Sequence, residues 1–402
     1  MPRHTPQPND AVILAGARTP IGKFMGALAA VPAPRLGAVA VQAAVERAAV
    51  PPEQIDEVIL GQVIAAGSGQ APARQAAMHA GLPDSVGAYS VNKACGSGLR
   101  AVMSAAQAVR AGDAALLVAG GMESMSSAPF LLPKARQGLR YGDQALLDAV
   151  IHDGLWCSLE AWMMGDAAEW IASEYEVTRE AMDRFALESH HKALAAAAAG
   201  KFAAEIVPVP VQTGKATALV STDEGPRPDT SLEALAKLKP AFKTGDRVTA
   251  GNAPGLNDGA AALVIASRAK AEALGRQPLA RIVGYTSAAV APKTLFIAPA
   301  RAIPKLLTQI GWTLADVDLI ELNEAFAAQV LADGYALADQ GWDWAKVNVH
   351  GGAIALGHPV GASGARVLVT LIHALQDRGL RRGLAALCLG GGEAVALALE
   401  LE

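Results

Sequence analysis

The chain states one arrangement of residues twice, and that repeat constrains its fold more than any other feature. Ile59–Ala66 (Ile-Leu-Gly-Gln-Val-Ile-Ala-Ala) is matched by Glu321–Ala328 (Glu-Leu-Asn-Glu-Ala-Phe-Ala-Ala). Cys95-Gly96-Ser97-Gly98-Leu99-Arg100 is matched by Gly361-Ala362-Ser363-Gly364-Ala365-Arg366, and Leu117–Glu123 by Leu387–Glu393. The offset drifts only from about 262 to about 270 residues, as expected if a duplicated unit has gained small loop insertions. Within the first copy the pattern alternates. A buried strand covers Ala11–Ala15, a helix Leu36–Ala49 stops at Pro51-Pro52, and a strand runs from Asp56 to Val63. A helix over Ala71–Ala80 ends at Gly81, and a helix reaching Arg110 leads to a strand at Ala114–Ala119 closed by Gly120-Gly121. Strands and helices alternating at this spacing predict a parallel or mixed sheet covered on both faces. Two such halves, packed about a pseudo-twofold axis, bring matching turns together.

Between the copies, from about Ser126 to Gly251, the character changes to prolines, loops and amphipathic helices. Glu180–Ala199 is the clearest helix there, and Thr213–Ser231 reads as polar loop. This segment is expected to cover one face of the paired halves as a substrate-binding lid. Strand character returns at Ala260–Ser267.

Composition narrows the function. A net charge of −4, with no basic run beyond Arg381-Arg382, argues against nucleic acid or an anionic membrane as main partner. Cys95, Cys157 and Cys388 are odd in number and far apart, which argues against a disulfide framework and against a zinc site. Met1–Asp10 is polar and proline-rich, without the apolar core of a signal peptide, and no apolar run reaches membrane-spanning length. These observations point to a soluble cytoplasmic enzyme.

Aligning the copies exposes where they differ. Cys95 stands opposite Gly361, Cys388 opposite Val118, and Asn323 opposite Gly61, while Gly357-His358-Pro359 precedes the Gly361 turn. Cys95 lies just before a Gly-Ser-Gly and a helix-forming run, so unpaired helix N–H groups and the helix dipole favour its thiolate. Each residue has a plain structural reading as well: inert core cysteines, a capped turn histidine, a helix N-cap at Asn323. Together, four polar exceptions at matched turns suit acyl transfer through a thioester. One thiolate attacks the thioester carbonyl, His358 takes its proton, N–H groups at Gly390 and Cys95 hold the oxyanion, and a second thiol moves a proton at the substrate carbon.

Several stretches then resemble the signature blocks of the thiolases: Val-Asn-Lys-Ala-Cys-Gly-Ser-Gly at 91–98, Gly120–Ser126, Thr249–Asn252, Leu256–Ala261, Asn323-Glu324-Ala325-Phe326, Gly351–Pro359 and Cys388-Leu-Gly-Gly-Gly. The resemblance spans nearly the whole chain. It implies the α/β thiolase fold, two duplicated α-β-α-β-α halves with an inserted loop domain. The N-terminal half would be 1–125 plus 252–280, the loop domain 126–251, and the C-terminal half 281–402. It further implies a homotetramer built as a dimer of dimers, and coenzyme A thioesters as substrates rather than any bound cofactor or metal. By position, Cys95 resembles the nucleophile that becomes acylated, His358 its activating base, and Cys388 the acid/base that removes the α-proton of the second acyl-CoA. Asn323 matches the residue that holds a water beside His358, and Gly390 an oxyanion donor. Leu155, Met164, Arg227, Ala250, Ala325 and Phe326 match coenzyme A contacts, with Arg227 near the nucleotide end.

Three departures bear on the substrate. Met163-Met164-Gly165 stands where short-chain biosynthetic thiolases usually carry His-Met-Gly, Pro254 replaces a serine of the pantetheine loop, and His350 stands where Asn is frequent. Pro254 offers neither a hydroxyl nor an N–H to a ligand. Phe296 is expected to narrow the acyl pocket. The reading is an acetyl-CoA acetyltransferase with short-chain substrates. The alternatives are a medium- or long-chain degradative 3-ketoacyl-CoA thiolase and a non-catalytic acyl-CoA-binding protein; a carrier-protein condensing enzyme on the same fold is disfavoured by Cys388.

Overall fold

A computed structural model describes residues 5–402, so the first four residues of the polar N-terminal segment lie outside the described residues. In chain order the first half comprises β1 (Ala11–Arg18), α1 (Ala33–Ala48), β2 (Glu57–Gly61), α2 (Pro72–His79), β3 (Gly87–Val91), α3 (Ser97–Ala111) and β4 (Leu116–Ser124). The intervening segment carries α4 (Met164–Glu174), α5 (Arg179–Ala198) and a hairpin of β5 (Val209–Thr213) and β6 (Ala216–Val220). Then follow β7 (Asn257–Ser267), β8 (Ala280–Ala289), α6 (Pro299–Ile310), β9 (Leu319–Leu322), α7 (Ala327–Ala336), α8 (Ser363–Arg378), β10 (Arg382–Leu389) and β11 (Glu393–Leu401).

The main sheet runs in the order β9-β10-β11-β8-β1-β7-β4-β2-β3, with parallel pairs β2·β3, β2·β4 and β9·β10. Its halves meet in a two-residue antiparallel junction, Val12 opposite Arg281 and Ile13 opposite Ala280. Strand alternation sorts the side chains into layers. On β4, Leu116 and Val118 face α1 and α2, whereas Leu117 and Ala119 face the middle of the molecule. On β10, Leu384, Ala386 and Cys388 face α6 and α7, whereas Ala385, Leu387 and Leu389 face the middle. The middle layer is α3 and α8, packed against both halves of the sheet. The five layers are thus helices, sheet, the α3/α8 pair, sheet, helices, and each half supplies one sheet and one middle helix.

The α3/α8 crossing gives the pseudo-twofold a direct test. A Cβ on Gly98 would stand 2.8 Å from the Ala365 nitrogen, and one on Gly364 would stand 2.3 Å from the Leu99 nitrogen. Gly98 matches Gly364 and Leu99 matches Ala365 in the repeat, so the contacts are reciprocal. Backbone approaches backbone there, and only glycine leaves room.

The segment between the halves is tied down by a buried arginine. Arg18, at the end of β1, pairs through Nε with Glu205 at 2.6 Å and binds Asp223 bidentately at 2.7 and 2.9 Å. The expectation of unbroken polar loop after Thr213 is corrected here. The alternation Val209–Val220 closes into the β5–β6 hairpin, with Gly214 at φ +65° in its turn. Among the described residues no helix is long and apolar enough to cross a membrane.

Candidate active site

Cys95 sits in the connection from edge strand β3 to α3. Ala94 adopts φ +43°, a left-handed conformation uncommon outside glycine, and the turn around it is hydrogen-bonded shut. The Asn92 side-chain oxygen accepts from the Ala94 N–H at 3.1 Å; Ser97 Oγ accepts from the Lys93 N–H at 2.8 Å and donates to the Ala94 carbonyl at 2.6 Å. Lys93 also pairs with Glu393 at the start of β11, which fastens the turn to the other half.

The matching turn of the second half carries His358. Its N–H donates to Asn257 Oδ1 at 2.8 Å, so the Leu256–Ala261 block supports the histidine backbone. Ser363 Oγ lies 2.6 Å from His358 Nδ1 and donates its own proton to the Pro359 carbonyl at 3.0 Å. With that proton committed, Oγ accepts from Nδ1–H, and the free lone pair of the imidazole falls on Nε2. Nε2 is buried and has no partner among the described residues. It is the base position.

Burial governs the charges. Cys95 is pushed up to about 11 by desolvation, although N–H groups of Gly390 and of Cys95 itself aim at the sulfur and favour the thiolate. His358 is pushed down to about 3, chiefly by burial and secondarily by the charge of Arg366. Cys388 is raised well above the ordinary thiol value, again chiefly by burial and then by Cys95 and Asp333. The N–H groups favour the thiolate, as the sequence position of Cys95 implied, but burial adds a larger opposing effect. The helix terminus acts locally, but the enclosed site outweighs it, and the resting pair is thiol and neutral imidazole.

These groups open onto one cavity of about 230 Å³. Cys95, His358, Cys388 and Gly390 line it, together with Leu155, Met163, Met164, Ala250, Pro254, Ala325 and Phe326. Phe296 closes one side, its ring centroid 5.4 Å from that of Phe326 at an angle of 66°. Leu155 arrives at the end of a π-helical turn, Val150–Leu155, and Met163 from a short hairpin pairing Trp156-Cys157 with Trp162-Met163. Two expected residues do not line the cavity. Asn323 is buried, and among the described residues neither of its amide atoms finds a partner, so it is not capping α7, whose N-cap is Phe326. Arg227 lies outside on an exposed loop, where its N–H donates to His190 Nδ1 at 3.2 Å.

Three supporting residues escaped the sequence reading of roles. Glu123 is fully buried and accepts from Val63, Ile64 and Gly361 N–H groups at 2.9, 3.3 and 3.0 Å, pinning turns from both halves together. Burial lifts its carboxyl to about 7 against those three donors. Glu324, also buried and raised, accepts from Ser189 Oγ, Asn348 Nδ2 and the Ile354 N–H. Ser363 orients His358. All three stand in the quoted blocks, and their signal was a charged or hydroxyl residue inside an otherwise apolar glycine-rich run.

The N-terminal thiolase domain family matches residues 11–269, and the C-terminal thiolase domain family matches residues 276–401. The chain is a thiolase. It is 56% identical over 393 residues to an acetyl-CoA acetyltransferase of Cupriavidus necator, covering 97% of this chain and 99% of that protein. It is 55% identical over 394 residues to one of Pseudomonas aeruginosa, covering 98% and 100%. The crystal structure of the Bacillus anthracis acetyl-CoA acetyltransferase superposes with a TM-score of 0.95 at 47% identity, over 98% of this chain and 99% of that one. In this thiolase Met163 and Pro254 both face the cavity. Gly165 admits the Phe242 ring, which a Cβ there would meet at 1.9 Å. His350 lies off the cavity, buried edge-to-face against Phe202 at 6.1 Å.

Proposed function

We propose that this thiolase is an acetyl-CoA acetyltransferase. It catalyses the reversible reaction acetyl-CoA + acyl-CoA = 3-ketoacyl-CoA + CoA by a ping-pong route through an acyl-cysteine. The single observation that carries the reading is two thiols and a partner-free imidazole nitrogen on one small apolar cavity. In the first half-reaction His358 Nε2 takes the Cys95 proton as sulfur attacks the thioester carbonyl. The tetrahedral oxyanion meets the N–H groups of Cys95 and Gly390. CoA leaves as thiol on taking the Cys388 proton, which leaves Cys388 as a thiolate base while His358 keeps the proton from Cys95. In the second half-reaction Cys388 Sγ removes the α-proton of a second acyl-CoA, and the enolate oxygen faces His358 and a water held by Asn323. Carbon attack on the acyl-cysteine then expels the Cys95 thiolate, which takes its proton back from His358. In thiolysis the same steps run backwards. A neutral resting thiol and imidazole suit this route, because charge separation then develops only with substrate in place.

The cavity volume and the Phe296–Phe326 wall favour short acyl groups. Coenzyme A thioesters serve as substrates with no further cofactor. The pantetheine arm would pass Leu155, Ala250 and Pro254, and the nucleotide end would reach Arg227. The working form is proposed to be a cytoplasmic homotetramer, divided as 1–125 plus 252–280, 126–251 and 281–402. The unpaired outer edge of β3 and the exposed Phe130, Leu139, Tyr141 and Leu146 side chains support assembly. The test is rapid-quench release of CoA from acetyl-CoA alone. Wild type should give a burst of one CoA per active site, Cys388→Ala should keep a burst but not condense, and Cys95→Ala should give none. An equal burst in Cys95→Ala sinks the mechanism.

A further inference from the structure

Helix α7 carries a buried carboxyl group that the acyl-transfer route does not use. Asp333, in the last turns of α7, is wholly buried, and among the described residues no cation pairs with it. Two neutral donors meet it instead. The Ala300 N–H, on the first turn of α6, reaches Asp333 Oδ1 at 3.1 Å, and Gln329 Nε2 reaches Oδ2 at 2.6 Å. Gln329 is also wholly buried, and its Oε1 accepts from the Ala325 N–H at 3.1 Å. Ala325 and Phe326 both line the cavity, and Phe326 packs against Phe296.

The far end fixes the direction of this relay. A backbone N–H only donates, so Gln329 turns its oxygen to Ala325 and its NH2 to Asp333. Asp333 is therefore met by donors at both oxygens, one of them a helix N-terminal N–H that favours negative charge. A carboxylate ends such a relay without leaving a donor unpaired; an amide does not. The Ala325 N–H is shared with the Asn323 carbonyl at 3.1 Å, so without Gln329 that N–H keeps only its local bond, and the turn is held from outside through the Ala327 N–H to the Asn252 carbonyl at 3.0 Å. Burial raises the Asp333 carboxyl well above its usual range, against the pull of the Gln329 and Ala300 donors, and when ionised its charge adds to burial in keeping the proton on Cys388.

We propose that Asp333 is a positioning residue: through Gln329 it fixes the Ala325–Phe326 turn and so sets how large an acyl group fits between Phe326 and Phe296. This inference rests on the acyltransferase reading above. It concerns which substrates the site admits, not whether Cys95 is acylated.

The full-length enzyme provides the test, read as the ratio of kcat/KM for thiolysis of acetoacetyl-CoA to that of 3-ketohexanoyl-CoA. Asp333→Asn sets a second donor against Gln329, and turning the Gln329 amide over only moves the conflict to Ala325. The double variant Gln329→Glu with Asp333→Asn restores every bond. Its new carboxylate accepts from Ala325 and from the new amide, whose oxygen still accepts from Ala300. The ratio should narrow about fivefold or more in Asp333→Asn and return to within about twofold of wild type in the double variant, the scale of two methylenes in an apolar pocket. Gln329→Met cuts the Ala325 link while leaving Ala300 on Asp333, and should narrow the ratio similarly. It decides the matter if Asp333→Asn does not fold. An unchanged ratio in Gln329→Met, or a double variant no better than Asp333→Asn, overturns the proposal. Wild-type enzyme that fails to cleave acetoacetyl-CoA overturns the acyltransferase reading instead, and this inference with it.

Discussion

The turns at Cys95–Arg100 and Gly361–Arg366 share one backbone plan and use it differently. Both open a helix of the middle layer, and each glycine admits the other's backbone. In the first, Ser97 closes its own turn and Arg100 reaches Gln107 on the exposed side of α3. In the second, Ser363 engages the His358 ring, and Arg366 is buried against Glu321 at 3.4 Å. Positions that stayed alike hold the halves together. Those that diverged, Cys95 against Gly361 and Cys388 against Val118, put unlike groups on one cavity. A duplicated fold thus offers two structurally equivalent turns at a single point, and chemistry requires that they cease to be chemically equivalent.

Substitutions can break that division of labour. The largest effect is expected at His358→Ala, which removes the base from an intact crossing; turnover should fall about 10³- to 10⁴-fold with little change in fold, as steady-state thiolysis would show. Next comes pH. With Cys95 held at about 11, its thiolate fraction rises with pH throughout the accessible range. Iodoacetamide alkylation of Cys95 in the free enzyme should therefore climb about tenfold per pH unit from pH 7 to pH 9. A plateau below pH 8 would indicate a thiolate–imidazolium pair instead. The glycines test the symmetric part. Gly98→Ala and Gly364→Ala should each cost about 2–3 kcal/mol in urea unfolding, by similar amounts, because both push a Cβ into backbone. A large cost at one and none at the other would break the twofold account. The smallest contrast lies between the serines. Ser363→Ala should lower kcat about tenfold by freeing the imidazole, whereas Ser97→Ala should register mainly as about 1 kcal/mol of stability.

Much of this was legible in the sequence because the marks were local. The repeat survives in glycine and small residues that the α3/α8 crossing requires. Cys95, His358 and Cys388 stand out as polar exceptions inside glycine turns. What was not legible depends on burial and on partners distant in the chain. Glu123 reads as a surface charge until Val63, Ile64 and Gly361 present their N–H groups to it. The weight of burial at Cys95 was illegible for the same reason, since a helix terminus is visible in sequence and an enclosed apolar cavity is not. Asp333 carries no local sign at all, and its meaning comes from α6 and from Ala325.

The central claim is that Cys95 alone carries the acyl group between two CoA thioesters. It is tested most directly by mixing the enzyme with acetyl-CoA, quenching in acid and mapping peptides by mass spectrometry. The account predicts one acetyl group on the peptide containing Cys95, present in Cys388→Ala, absent in Cys95→Ser at the same position, and discharged when CoA is added before the quench. Acetyl on the Cys388 peptide of wild type, or no covalent acetyl while condensation proceeds, would contradict it.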